Sequence, residues 1–343
     1  MPSELKTDRG AERMKQGGRA SLGAGPDIPT TLWQADQERH CNQYMPQAGE
    51  GRDSQRVDQG GGQIEGNQPP LITVITPCLD AIESISENLR SVLAAHQILE
   101  KAGWGLEHLV VDGGSLDGTA ELVANHAAQH SYCSVTSNIK GGPYSAMNAG
   151  LGQASGSYTH VLNSDDLVLD PIAYASFLIE GHRKGATVLI SSIGYFRRPA
   201  KNLKSLWIAE SIPTAEEEWQ HQLLNGLHYP HPGFIADTTI YKKESFDERY
   251  SLSADYKLMQ TILLETATPE STVVCRQPLV AMAEGGATGN WRAILKGRQQ
   301  LAAINQELGI KASSVKRHWR KVMQRMRPIR WSDIINTAET SEQ

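Results

Sequence analysis

The sequence predicts an α/β fold, with a mixed, mainly parallel sheet flanked by helices. Three observations carry that prediction. From Leu71 onward, short β-branched runs alternate with helical segments. The turns between them are short. Small and acidic residues stand directly after the first, second and fourth strands, and in such sheets ligands bind beyond the carboxyl ends of the strands.

Leu71–Thr76 (Leu-Ile-Thr-Val-Ile-Thr) reads as a buried strand by length and β-branching, ended by Pro77. Ile82, Ile85, Leu89, Val92 and Leu93 then recur at helical spacing. His108–Val111 is a second strand leading into Asp112-Gly113-Gly114-Ser115. A helix over Thr119–Gln129, a strand over Cys133–Thr136, a helix over Ser145–Gln153 and a strand over Tyr158–Leu162 follow. Pro171–Glu180 starts a helix, with proline favourable at its first turn. Thr187–Ser191 reads as a strand, Tyr195–Lys204 as a basic loop, and Glu216–Leu224 as a helix with a solvated charged face. Trp291–Leu308 carries Ile294, Leu295, Leu301, Ile304 and Leu308 on one apolar side.

The 343 residues carry a net charge of -5, which gives no general case for nucleic-acid binding. The four cysteines are scattered without a CxxC pair, arguing against zinc and for a reducing compartment. No signal-like apolar stretch opens the chain and no run of about 18 apolar residues occurs, so a cytoplasmic location is expected. Residues 1–68 are rich in Gly, Gln and charge, too polar to offset chain entropy, and are expected as a disordered tail. Trp33 and Tyr44 in it read as a docking motif or as part of a dispensable tail. Residues 69–289 form the expected folded domain, divided into 69–166 and 167–289. Residues 290–343 form a helical, basic extension. Within 315–331, Val315, Trp319, Val322, Met323 and Met326 share a face flanked by Lys and Arg. Two readings stand: peripheral binding to an anionic membrane surface on its inner face, or a packed helix with a solvated basic side.

The chemistry centres on Asn163-Ser164-Asp165-Asp166. Adjacent carboxylates at a buried strand end repel each other and call for a cation. Alone, the tetrapeptide also fits an acidic turn or N-cap before Asp170-Pro171. Thr76, Pro77 and Asp80 follow strand one, and Asp112, Gly113 and Gly114 follow strand two. Neither a Gly-Lys-Ser/Thr loop nor a GxGxxG is present. An acidic rim without a phosphate loop implies a diphosphate held through a divalent cation.

Val111-Asp112-Gly113-Gly114-Ser115-Leu116-Asp117-Gly118-Thr119, Tyr144-Ser145-Ala146-Met147-Asn148-Ala149-Gly150 and Leu162-Asn163-Ser164-Asp165-Asp166 resemble, in order and spacing, the successive motifs of family 2 glycosyltransferases. The resemblance covers about residues 71 to 285 and is nearest the branch that builds bacterial surface polysaccharides. It implies a GT-A fold, a nucleotide-diphosphate sugar donor (a UDP-sugar first), Mn2+ or Mg2+, and a saccharide or lipid-linked acceptor. By position, Thr76, Pro77, Asp80, Asp112, Gly113, Asn148 and Asp165 would contact the donor. Asp166, with Asp165, would hold the metal. Downstream, His228–Phe234, Tyr241–Tyr250 and Ser253–Met259 resemble the acceptor half, making Asp255 the candidate base. Asp255 also fits a helix-opening acid stabilised by the macrodipole. His231 would touch diphosphate or acceptor, or be structural. Asp80, Lys140 and Ser145 depart from the family's usual residues, which bears on donor identity more than on reaction type. The Glu284–Gly289 loop reads as a lid or a linker. A nucleotidyltransferase would need a basic glycine loop where Thr76–Asp80 stands, and an inactive scaffold would bind no nucleotide.

Overall fold

Ile72–Cys78 forms the central strand β1, buried along its whole length. The computed structural model describes residues 71–198, 203–284 and 291–311. The expected tail (1–68), the basic stretch 315–331 and residues 285–289 of the glycine loop lie outside the described residues. After β1 come α1 (Ile85–Lys101), β2 (Leu106–Asp112), α2 (Thr119–Gln129), β3 (Cys133–Thr136), α3 (Pro143–Gln153) and β4 (Tyr158–Val161). Then follow β5 (Leu167–Val168), α4 (Pro171–Arg183), β6 (Val188–Phe196), β7 (Leu203–Trp207) and α5 (Glu216–Leu224). A 3-10 turn (His231–Gly233), β8 (Phe234–Asp237), α6 (Thr238–Glu244), α7 (Ala254–Glu265), β9 (Thr272–Ala283) and α8 (Trp291–Glu307) complete the described chain.

The sheet runs β3-β2-β1-β4-β8-β6-β9-β5, with β7 on the side of β6. It is parallel through β3, β2, β1 and β4. It turns antiparallel where β8 enters between β4 and β6, and β6 and β9 are again parallel. The strand-end rim of the first half therefore has a differently wound second half beside it.

Pro77 does not end β1, as the sequence suggests. Ile75 O accepts from Leu162 N on the β4 side, and Cys78 O accepts from Gly113 N on the β2 side. Backbone groups alternate between neighbours, so the missing N–H of Pro77 faces β4, whose pairing with β1 already stops at Ile75–Val161. No ladder bond is lost. Tyr195–Lys204 is likewise no simple loop: β6 runs to Phe196 and returns antiparallel as β7 from Leu203.

Side-chain alternation along β1 feeds two cores. Ile75 joins Val111, Met147, Tyr241 and Leu258 on one face. Val74 joins Val92, Leu99 and Tyr174 on the other. α8 packs on α7 through Tyr256, Ile304 and Ile310. Among the described residues no helix is long and apolar enough to cross a membrane.

Candidate active site

The loops after β1 and β2 are stitched together at the strand ends. Asp112 closes β2, is 1% exposed, and accepts hydrogen bonds from Gly114 N, Ser115 N and the Ser115 hydroxyl. Ser115 Oγ in turn accepts from Asp80 N at 2.8 Å, and the Asp80 carboxylate accepts from Leu116 N at 2.8 Å. Asp80 sits at φ 47°, a left-handed conformation that Asp tolerates better than most residues. Asp117 accepts from Ile82 N, and Thr119 Oγ1 from Ala81 N. The Asp112–Thr119 motif thus shapes both loops. Thr76 points inward, its hydroxyl 2.9 Å from His108 Nε2, and Pro77 is buried. The rim face at this strand end belongs to backbone, Gly113 and Asp80, with Asp112 buried. Lys140 Nζ donates to Gly113 O at 2.8 Å, placing a cation beside them.

The acid pair lies one strand over. Asp166 is 1% exposed, and its carboxylate accepts from Ala283 N at 3.1 Å and Asn163 Nδ2 at 3.3 Å. Asn88 Nδ2 grips the turn by donating to Asn163 O and Asp166 O. Burial and the neighbouring Asp165 charge hold the Asp166 carboxyl well above the usual range. Burial likewise raises Asp165. Arg198 provides a nearby cation: Nη1 donates to the Asp165 carbonyl at 3.1 Å, while Nη2 lies 3.2 Å from Glu87 Oε2. Arg198 meets the turn through the Asp165 carbonyl and pairs with Glu87, so its charge only partly offsets the rise in the two carboxyls. Hard oxygen donors fit a divalent cation. No group of three or more His, Cys, Asp or Glu converges among the described residues.

In the second half, Asp255 opens α7 and its Oδ1 accepts from Tyr144 Oη at 2.9 Å. Tyr144 lies at the start of α3, so this bond joins the two halves. Burial, then the Asp255 charge, raises the Tyr144 phenol strongly, keeping it a donor. The Tyr144 ring stacks on Phe246 at 5.7 Å, and His231 meets the same ring edge-on at 6.2 Å. Burial lowers the His231 imidazole, Asp255 partly opposes this, and Nε2 is a buried nitrogen without a hydrogen-bond partner. Asn148 bonds across to the second half. Nδ2 donates to Phe246 O at 2.9 Å and Glu248 Oε1 at 3.0 Å, and Oδ1 accepts from Phe246 N at 2.8 Å. Its amide is spent on the Phe246–Glu248 turn.

Sequence reasoning overlooked Ser115, Asn163, Arg198 and Glu248 and gave Tyr144 no role. Ser115, Tyr144 and Asn163 lie inside the quoted motifs, so the signal was present. Nothing in the sequence pairs Arg198 with a turn 33 residues earlier.

A half-parallel sheet with acids at its strand ends, joined to a second half carrying an acid on a helix start, is a GT-A-like fold. The model of glycosyl transferase family 2 matches residues 73–250, and the chain belongs to that family. A poly-beta-1,6-N-acetyl-D-glucosamine synthase of Staphylococcus epidermidis is 29% identical over 122 residues, 36% of this chain and 26% of the relative. An uncharacterised glycosyltransferase of Mycobacterium tuberculosis is 30% identical over 102 residues, 30% of this chain and 36% of the relative. The chain thus spans about a quarter to a third of these relatives' length. In fold it is similar to S. aureus TarS 1–349, with a TM-score of 0.51 at 18% identity over 79% of this chain and 72% of that one. The UDP complex of the same protein gives 0.50 at 19% identity over 73% and 72%.

Proposed function

We propose that this chain transfers a sugar from a nucleotide-diphosphate donor, a UDP-sugar first, to a saccharide or lipid-linked hydroxyl, with inversion, in polysaccharide or glycolipid synthesis. The observation that carries the reading is the separation of two acidic centres. A pair of carboxyls, half-buried Asp165 and buried Asp166, stands after β4, and a single carboxylate, Asp255, opens α7 in the other half. Family membership supports it.

Asp112 and the Gly113 backbone, with Asp80 beside them, receive the nucleoside. Asp165 lies toward the ribose or donor sugar. Asp166, with Asp165, would hold Mn2+ or Mg2+, which when bound offsets charge on the departing diphosphate. Asp255 accepts the proton of the acceptor hydroxyl as its oxygen attacks the anomeric carbon from the face opposite the diphosphate. Tyr144 occupies one Asp255 oxygen and leaves the other for that proton.

A thermal-shift screen of UDP, GDP, dTDP and CDP, each with and without Mn2+, identifies the nucleotide, because a ligand of the folded state raises its apparent stability. Turnover is then read as nucleotide diphosphate released from the matching sugar donors. Asp166→Ala and Asp255→Asn are each expected to abolish it, as is excess EDTA. Near-wild-type turnover by Asp255→Asn removes the base assignment, and full activity in EDTA removes the metal. A chain that binds none of the four nucleotides is a scaffold.

A further inference from the structure

The first two turns of α3 carry a dense set of side-chain bonds, and all of them cross to the second half. Tyr144 Oη reaches Asp255 Oδ1, 111 positions later, at 2.9 Å. Ser145 Oγ donates to Glu248 Oε2. Asn148 holds Phe246 by both its N–H and its C=O and adds a bond to Glu248 Oε1. The Tyr144 ring stacks on the Phe246 ring between them. Three residues on one helix, spaced i, i+1 and i+4, thereby grip both the residue that opens α7 and the turn before that helix.

The grip has a rigid base. α3 lies so close to β1 that a Cβ on Gly150 would stand 2.5 Å from Ile75 Cγ2. Met147, Leu151 and Tyr144 itself are buried in the core that also contains Leu258 and Met259 of α7. The 2.9 Å bond to one carboxylate oxygen restrains how the group turns. Two contacts to the backbone of Phe246 fix the chain leading into the helix. Both restrain the carboxylate, and both N–H groups of the Asn148 amide are spent on the Phe246–Glu248 turn.

We propose that Tyr144 is a positioning residue for Asp255, and that Ser145 and Asn148 brace the acceptor half rather than touch the donor. Tyr144 aims the carboxylate, and the Asn148–Phe246 pair sets where α7 begins. The proposal rests on the reading of Asp255 as the base, and it moves Asn148 out of the donor-contact set.

The test uses the full chain, the nucleotide selected by the thermal-shift screen, and release of nucleotide diphosphate from its sugar donor. Tyr144→Phe keeps the stacked ring and removes only the hydroxyl. Its kcat should fall about tenfold, the scale of one lost hydrogen bond to a charged group. Its donor KM and its nucleotide–Mn2+ affinity should stay within about twofold of wild type. Asn148→Ala should show the same split, whereas a donor contact at Asn148 would weaken nucleotide binding with kcat held. Asp255→Asn separates the two readings. If it retains turnover, the base assignment fails and the brace falls with it. If it is dead while Tyr144→Phe has wild-type kcat, the base stands and the brace alone is overturned. A loss of nucleotide affinity in Tyr144→Phe or Asn148→Ala equal to the loss of rate also overturns the brace.

Discussion

Two glycines separate what space decides from what propensity decides. A Cβ on Gly233 would lie 2.2 Å from the Ser191 carbonyl oxygen, a backbone atom that cannot swing away. Gly233 ends the 3-10 turn that carries His231, so Gly233→Ala must push that turn off β6. The expected cost is about 1–3 kcal/mol, the range for overpacking, read as a lower urea midpoint. Gly152 has nothing within 4 Å of its Cβ position and lies exposed near the end of α3. Gly152→Ala should hold stability or raise it by about 0.5–1 kcal/mol through helix propensity alone. Similar loss in both variants would mean that the close approach at Gly233 is not what matters.

At the scale of elements, α8 is a brace for α7 from the outside. Ile304 is fully buried, Tyr256 Oη donates to Asn305 Oδ1 at 2.8 Å, and Lys257 Nζ lies 2.6 Å from Glu307 Oε1 and 2.8 Å from Asp247 Oδ2. Ile304→Ala should cost about 2–5 kcal/mol and loosen α8 first, seen as faster amide exchange in α8 and α7 than in β1 and β2. Uniform loss of protection would show instead that α8 does not open separately. The extent of α8 was legible because its apolar residues recur at the helical period, but only part of that stripe is a core face: Ile304 is buried, whereas Ile294 and Leu295 are 48% and 51% exposed. β9 was not legible. No element was assigned to its run Thr272–Ala283, whose β-branched start is followed by Arg276, Gln277 and Pro278. The structure keeps the strand by a register shift: Ser191 pairs Cys275 and Ser192 pairs Pro278, so Arg276 and Gln277 are skipped. A bulge is decided by the partner strand, which local pattern cannot see. The candidate site divides the same way. Asp112, Asp165, Asp166 and Asp255 could be found as acids at element ends. The Tyr144–Asp255 bond could not, because a contact over 111 residues belongs to the fold.

Across the whole molecule, buried histidines set the response to acid. Burial pushes His108 down to about 3 and His160 down to about 4. His160 is held neutral between two elements, its Nδ1 2.8 Å from Tyr174 Oη and its Nε2 2.9 Å from Pro232 O. The carbonyl needs a donor, so the proton sits on Nε2 and Tyr174 donates to Nδ1. Both histidines bind a proton more readily when unfolded, near pH 6.5. Their contribution is therefore complete above about pH 6.5 and is lost as pH falls toward 4 for His160 and 3 for His108. His96, His126 and His231 are also lowered by burial and act in the same direction. The raised Asp165 and Asp166 carboxyls act in the opposite direction, since they take up protons in the folded state. A difference measurement isolates one histidine. Between about pH 6 and 4.5, the urea-derived stability of His160→Gln should fall less steeply than that of wild type, by up to about 1.4 kcal/mol per pH unit for one proton. The variant should be less stable than wild type at pH 7.5, where only its lost packing and hydrogen bonds count. Parallel stability curves for the two proteins would mean that His160 takes up its proton equally in the folded and unfolded chains, and that its burial between α4 and the His231 turn carries no acid sensitivity.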